Sequence, residues 1–283
     1  MTCQVRIFKL QTAIFWQLQS AVFMLKKILS FVLLSHLAPA TLAQTCITYP
    51  EPQAPGIHAL TQIFAKRAGI YGIDVSHYQG MIDWKQAKLA GVSFAYVKAS
   101  EGVKFIDPCF ARNWLNSKEA GVVRGAYHFF RANLDPIAQA KNFVATVKPL
   151  RNSFDLPPAL DIEYGPDMNS VDAIELMARI KQWLEYVEHR LGVTPVIYTS
   201  QTFWEDYIGH NPVFAKYPLW LAAALQHPGP PSSWQDWTFW QFSPRGKVPG
   251  IMTAVDLSYF GGDKRDFLKL LIHTDDSQGQ PYG

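Results

Sequence analysis

Pro158-Ala159-Leu160-Asp161-Ile162-Glu163 is an apolar run that ends in two carboxylates with one isoleucine between them. Read as a strand, it puts residues i and i+2 on one face. Asp161 and Glu163 then project side by side, and Ile162 points the other way. Neighbouring carboxylates raise each other's proton affinity, and burial separates their pKa values further. Such a pair supplies one acid and one base at neutral pH. An Asp-x-Glu triplet alone is common on solvated strand edges; its place at the end of a buried-looking strand gives it weight.

Working outward, the same kind of run recurs. Strands are predicted at Tyr71–Ser76, Ser93–Ala99, Val122–Phe129, Pro158–Glu163, Pro195–Thr199, Pro218–Ala223, Thr238–Phe242 and Thr253–Ser258. Most are short, apolar and rich in β-branched or aromatic residues, as buried strands are. Helices lie between the early ones. Asp135-Pro136 supplies a cap and a first-turn proline for Ala138–Val147. Ser170–Leu191 carries Ile174, Met177, Leu184, Val187 and Leu191 at helical spacing and stops at Gly192, and Phe110–Ala120 stops at Gly121. Alternating strands and helices imply a parallel sheet, and eight strands in this length suit a closed or nearly closed barrel. From Pro218 to Ser258 the strands crowd together, so the last third is expected to be irregular and partly antiparallel.

In parallel α/β folds the functional residues gather at the C-terminal ends of strands. Here those ends hold Asp74, Ser76 and His77; Lys98 and Glu101; Tyr127 and His128; Asp161 and Glu163; Tyr198 and Thr199; Trp240 and Gln241; and Asp256. Each has a bland reading as a strand terminator or a helix cap. Caps, however, need not be tyrosine, tryptophan, glutamine or paired acids. Sugar rings present flat C–H faces that stack on aromatic side chains, and Trp240, Tyr127 and Tyr198 are placed to face a cleft. No metal-ligand spacing, nucleophile elbow, P-loop or dinucleotide glycine pattern is present, so neither metal nor cofactor is expected. The isolated histidines read as hydrogen-bonding residues.

The chain has 283 residues and a formal net charge of +3. Arg6, Lys9, Lys26 and Lys27 fall in the first 43 residues, which hold no acid. Without them 22 basic residues face 23 acidic ones, so the charge gives no ground for a nucleic-acid partner. Lys26-Lys27, the apolar run Ile28–Leu37 and the small residues ending at Ala43 form the three regions of a secretory signal. It is too short to span a membrane, and Met24 directly before it is a candidate start. After cleavage the chain is expected to be periplasmic or extracellular, monomeric and without stable membrane insertion. Cys46 and Cys109 remain; they can form one disulfide or stay as two thiols. Residues 44–69 read as a proline-bearing linker with a short helix at 60–68, 70–272 as the main folded domain, and 273–283 as a frayed tail.

Taken in order, Gly72-Ile73-Asp74-Val75-Ser76-His77-Tyr78-Gln79-Gly80, Ile82-Asp83-Trp84, Val97-Lys98-Ala99-Ser100-Glu101-Gly102, Gly125-Ala126-Tyr127-His128-Phe129 and Leu160-Asp161-Ile162-Glu163 resemble the glycoside hydrolase family 25 lysozymes. Tyr198-Thr199, Leu219-Trp220-Leu221-Ala222, Trp240-Gln241-Phe242 and Val255-Asp256-Leu257 continue the likeness, which covers about residues 70–272. One departure is Ala223-Ala224-Leu225, where the family often has an aromatic. Chitinases share an Asp-x-Glu but want acids where this chain has Ala159 and Leu156.

The resemblance implies an α/β, irregular TIM-like barrel of five β/α units followed by three strands. It implies cleavage of the β-1,4 bond between N-acetylmuramic acid and N-acetylglucosamine in peptidoglycan glycan strands. Glu163 becomes the general acid, and Asp161 stabilises the transition state or orients the N-acetyl group. Asp74 and Asp256 meet if the barrel closes and complete the catalytic set. Tyr127, Tyr198, Glu101, Lys98, Trp240 and Gln241 become substrate-binding residues. Two rivals are a non-catalytic peptidoglycan-binding protein of the same fold and an enzyme acting on another N-acetylhexosamine polymer. The first is disfavoured because all four acids are present.

Overall fold

The apolar runs close on themselves. A computed structural model describes residue 46 and residues 69–148, 154–165, 167–224 and 228–272. The signal segment, nearly all of the linker with its 60–68 helix, Leu225 and the 273–283 tail lie outside the described residues. Strands β1 (Ile70–Val75), β2 (Phe94–Glu101), β4 (Val123–Phe129), β5 (Ala159–Asp161), β6 (Val196–Ser200), β7 (Leu219–Ala222), β8 (Phe239–Gly246) and β9 (Val255–Phe260) form a barrel closed by pairing of β1 with both β2 and β9. A ninth, two-residue strand, β3 (Phe105–Ile106), hangs antiparallel on the end of β2. Neighbours from β1 through β2 and β4 to β8 run parallel. Only β9 runs against both neighbours, which locates the expected irregularity in one strand.

Helices α1 (Trp84–Leu89), α2 (Phe110–Glu119), α3 (Pro136–Val147), α4 (Ala173–Leu191), α5 (Gln201–Tyr207) and α6 (Lys264–Leu270) complete the fold. Asp135 caps α3 by accepting from the Ala138 amide, with Pro136 in the first turn as expected. The expected start of α4 at Ser170 is corrected. Met168–Ser170 is a 3-10 turn, and Asp172 caps the helix by accepting from the Glu175 amide. Gly192 ends α4 at φ 65°, a conformation that favours glycine. The Pro158–Glu163 strand is also shorter than expected. Its ladder stops at Asp161, whose carbonyl accepts from the Phe130 amide, and Glu163 lies two residues beyond.

Two apolar clusters result. One fills the space between barrel and helices and holds Ile73, Val97, Leu160, Ile162, Ile197 and Leu221. The other fills the barrel, with Phe94, Tyr96, Ala159, Val196, Trp220, Phe239 and Phe260. Large rings inside require small residues opposite. A Cβ on Gly72 would stand 2.4 Å from the Phe94 ring, and one on Gly125 would stand 2.4 Å from Tyr96. Phe267 of α6 packs on Phe94 and Phe260, with centroids 5.8 and 5.1 Å away, and seals the end where the parallel strands begin. Higher up, Tyr96 stacks on Trp220 at 4.6 Å. Their polar tips are satisfied by the Pro157 carbonyl and the Ser258 hydroxyl. That layer is the floor on which the other end of the barrel stands.

Cys46 and Cys109 are joined in a disulfide, with Cα atoms 5.0 Å apart. It tethers residue 46 to the N-terminus of α2.

Candidate active site

Above the aromatic floor the inward positions become polar. Asp74 is the fifth residue of β1, and the antiparallel register with β9 sets Asp256 directly across from it. Opposed residues on neighbouring strands share a face, so two carboxylates meet here. Gln241 of β8 donates from Nε2 to Asp74 Oδ2 at 3.0 Å and accepts the Tyr198 hydroxyl on Oε1 at 3.0 Å. Protein packed around Asp74 strips water from it, and the Asp256 charge acts in the same direction. Together they outweigh the Gln241 bond and hold the Asp74 carboxyl well above the usual carboxylate range. Asp74 therefore binds its proton more tightly than an isolated carboxylate would.

Asp161 ends β5 in register with Tyr198 of β6. Burial raises the Tyr198 phenol, and the charges of Glu163, Asp161, Asp74 and Asp256 raise it further. Register and the Gln241 bridge thus link Asp161, Asp74 and Asp256 to this phenol, and the Glu163 charge also acts on it. Ile162 is buried in the outer cluster, which agrees with its expected opposite direction. Tyr127 of β4 faces the same group. Its phenol is raised by burial and then by Asp161, Asp74, Asp107 and Asp256. Both phenols stay neutral, and that of Tyr198 donates to Gln241.

Lys98 and Glu101 are three apart, and simple alternation would put them on opposite faces. A register shift between Lys98 and Ser100 turns Glu101 back. Lys98 Nζ then lies 2.6 Å from Glu101 Oε2. Arg131 donates to the other Glu101 oxygen from Nε at 2.9 Å and from Nη2 as well. Burial works against the ionised form of Glu101, but Lys98 and Arg131 outweigh it and hold the carboxyl below its usual range. Arg131 also reaches Asp167 Oδ1 at 3.4 Å. Its backbone is fixed by buried Gln139, which takes the Arg131 amide at 2.9 Å and donates to its carbonyl at 2.8 Å.

The two histidines are hydrogen-bonded, as expected. His77 Nδ1 lies 2.7 Å from Oδ2 of buried Asp107, which also accepts the His77 amide. His128 sits between Ser100 and Gln139 and stacks on Trp183. Burial lowers its pKa to about 3, so the ring is neutral. Gln139 uses Nε2 on the Arg131 and Leu134 carbonyls, leaving Oε1 to accept from His128 Nε2. Nδ1 is then the acceptor for Ser100.

Trp240 is the one candidate the structure separates from the rest. It precedes Gln241 on β8, so alternation turns it to the opposite face. There it donates to the Ala223 carbonyl at 2.7 Å and packs against Trp237 and Phe242. Sequence reasoning passed over Arg131, Asp107, Asp167, Phe105 and Phe129. Two of them carried a signal: Phe129 ends a predicted strand two residues after Tyr127, and Arg131 follows the polar end of that strand by three residues. Among the described residues, no three His, Cys, Asp or Glu side chains are arranged to hold a metal ion, and no helix is long and apolar enough to cross a membrane.

Known proteins resemble this chain in sequence and fold. Residues 73–251 match the family described as Glycosyl hydrolases family 25. The chain is 40% identical over 198 residues to the protein YegX of Escherichia coli O6:H1, covering 68% of this chain and 70% of that one. It is 38% identical over 217 residues to Lysozyme M1 of Streptomyces globisporus, covering 74% of each. Among solved structures, the bacterial lysozyme from Streptomyces coelicolor superposes with a TM-score of 0.68 at 37% identity, over 72% of this chain and 97% of that one. With its barrel, its ring of acids and these relatives, the chain belongs to glycosyl hydrolase family 25.

Proposed function

We propose that this glycoside hydrolase is a lysozyme that cleaves the β-1,4 bond between N-acetylmuramic acid and N-acetylglucosamine, with Glu163 as general acid. The supporting observation is the linkage of Asp161, Asp74 and Asp256 to Tyr198 through strand register and Gln241 at one end of a sealed barrel, with the Glu163 charge acting on the same phenol. Glu163 passes its proton to the glycosidic oxygen as the bond from that oxygen to the muramic acid C1 breaks. The N-acetyl carbonyl oxygen of the same sugar attacks C1 and takes up the charge, and Asp161 orients the acetamido group for it. Glu163, now a carboxylate, takes a proton from water as that water opens the ring intermediate. The product keeps the anomeric configuration and ends in a reducing muramic acid.

Asp74 and Asp256 flank this bond, and the raised proton affinity of Asp74 limits the negative charge beside Asp161. Tyr127 and the Tyr198–Gln241 pair supply fixed hydrogen-bonding groups on either side. Glu163→Gln removes the proton donor and keeps the shape of the side chain. Clearing of peptidoglycan suspensions is expected to slow by roughly 10²–10⁴-fold, with an unchanged melting temperature. A variant that clears as fast as the parent would sink the assignment.

A further inference from the structure

Strand β3 does not help to close the barrel. It pairs with β2 alone, with Phe105 opposite Glu101. Opposed residues share a face, so Phe105 takes the face of Glu101, which the register shift has turned back towards Lys98. Phe129 ends β4 in register with Asp161 and stands two residues on from inward-facing Tyr127. The inner face of the barrel thus continues past its rim as a row of alternating rings and cations. The His77 and Phe105 rings are 5.8 Å apart. Lys98 Nζ lies 5.7 Å from the Phe105 centroid and 4.9 Å from that of Phe129. The Arg131 guanidinium also lies 4.9 Å from the Phe129 centroid.

Charge does not select the ligand here, because Glu101 and Asp167 offset Lys98 and Arg131. What remains is a pair of half-buried rings held in place by cations, edged by fixed donors and acceptors. A chain of amino sugars presents the matching surface, with flat C–H faces and a border of hydroxyl and acetamido groups. The row is also continuous with the acids, since Phe129 adjoins Asp161 and Asp107 beneath His77 acts on Tyr127. We propose that Phe105, Phe129 and the cations between them bind sugar units beyond the two that flank the cleaved bond, so that the enzyme prefers long glycan strands. This rests on the wall-cleaving activity proposed above.

The test is steady-state kinetics on peptidoglycan glycan strands of graded length. Phe105→Ala is expected to raise KM for long strands roughly three- to tenfold, the scale of one aromatic contact. The rise shrinks as the strands shorten, and the effect on kcat is smaller. Phe129→Ala follows the same trend, and Phe105→Trp recovers the parental KM. Leu89→Ser, at a site on α1 that is 81% exposed, keeps the parental KM as a surface control. Alanine variants that match the parent at every length overturn the proposal, as does a rise equal at all lengths. Both results leave the parent's own cleavage in place, so failure here is distinct from failure of the catalytic reading.

Discussion

Burial and the adjacent Asp256 give Asp74 a higher proton affinity in the folded chain than in the unfolded one. The stabilisation linked to that proton is complete below the ordinary carboxylate pKa of about 3.9. It is lost as pH rises through the elevated folded value, because the folded state then binds more protons than the unfolded one. Asp74→Asn removes the titration and still offers an oxygen to Gln241. Relative to the parent, it is expected to melt at a higher temperature at neutral pH, with the advantage shrinking towards pH about 4, and to lose activity. Melting curves across this range check the sign; a parent that gains on the variant as pH rises contradicts it. The same residue shows what could be read in the sequence. Asp74, Tyr127, Asp161, Tyr198, Gln241 and Asp256 all lie on strands, where alternation and strand-end position fix direction. Trp240 is one residue out of phase with Gln241, so both cannot face inward, and the alternation already contained that answer. Lys98 and Glu101 came together through a register shift that no local pattern announces.

At the scale of elements, the short β5 leaves Glu163 on irregular backbone beyond the ladder. Arg131 compensates by joining three rim segments: Glu101 at the end of β2, its own loop after β4, and Asp167 in the loop after Glu163. Gln139 holds that loop from α3 and also ties in buried His128, so the clamp is anchored in the core. Arg131→Met keeps an aliphatic stem over Phe129 and removes both ion pairs. Its kcat/KM on peptidoglycan is expected to fall roughly ten- to a hundredfold, as a small misplacement of a catalytic group can cost. Arg131→Lys recovers only part, because an ammonium cannot reproduce the guanidinium fork. Kinetics equal to the parent's would show that the clamp does not position Glu163. This clamp was illegible in the sequence because its members come from loops, where no period relates one residue to the next. The helices with strong caps and long apolar stripes, α3 and α4, were legible; short α1, α5 and α6 lack the length for a pattern.

For the whole molecule, the order of strands and helices implied the barrel, and the family resemblance supplied the count of five β/α units and three strands. Alternation then separates two cores, one under the helices and one of aromatic rings inside. With α6 closing one end, polar side chains can gather only at the other. The Cys46–Cys109 disulfide spans 63 residues; such links are typically worth about 2–4 kcal/mol. Its formation was left open by the sequence because spacing along the chain gives no distance in space. Under the proposed function this barrel cuts the wall glycan on the muramic acid side. Mass spectrometry of purified peptidoglycan after digestion tests it most directly. Disaccharide fragments with reducing N-acetylmuramic acid ends are expected, absent from a Glu163→Gln digest. Reducing N-acetylglucosamine ends, or no glycan fragments from the parent protein, would contradict it.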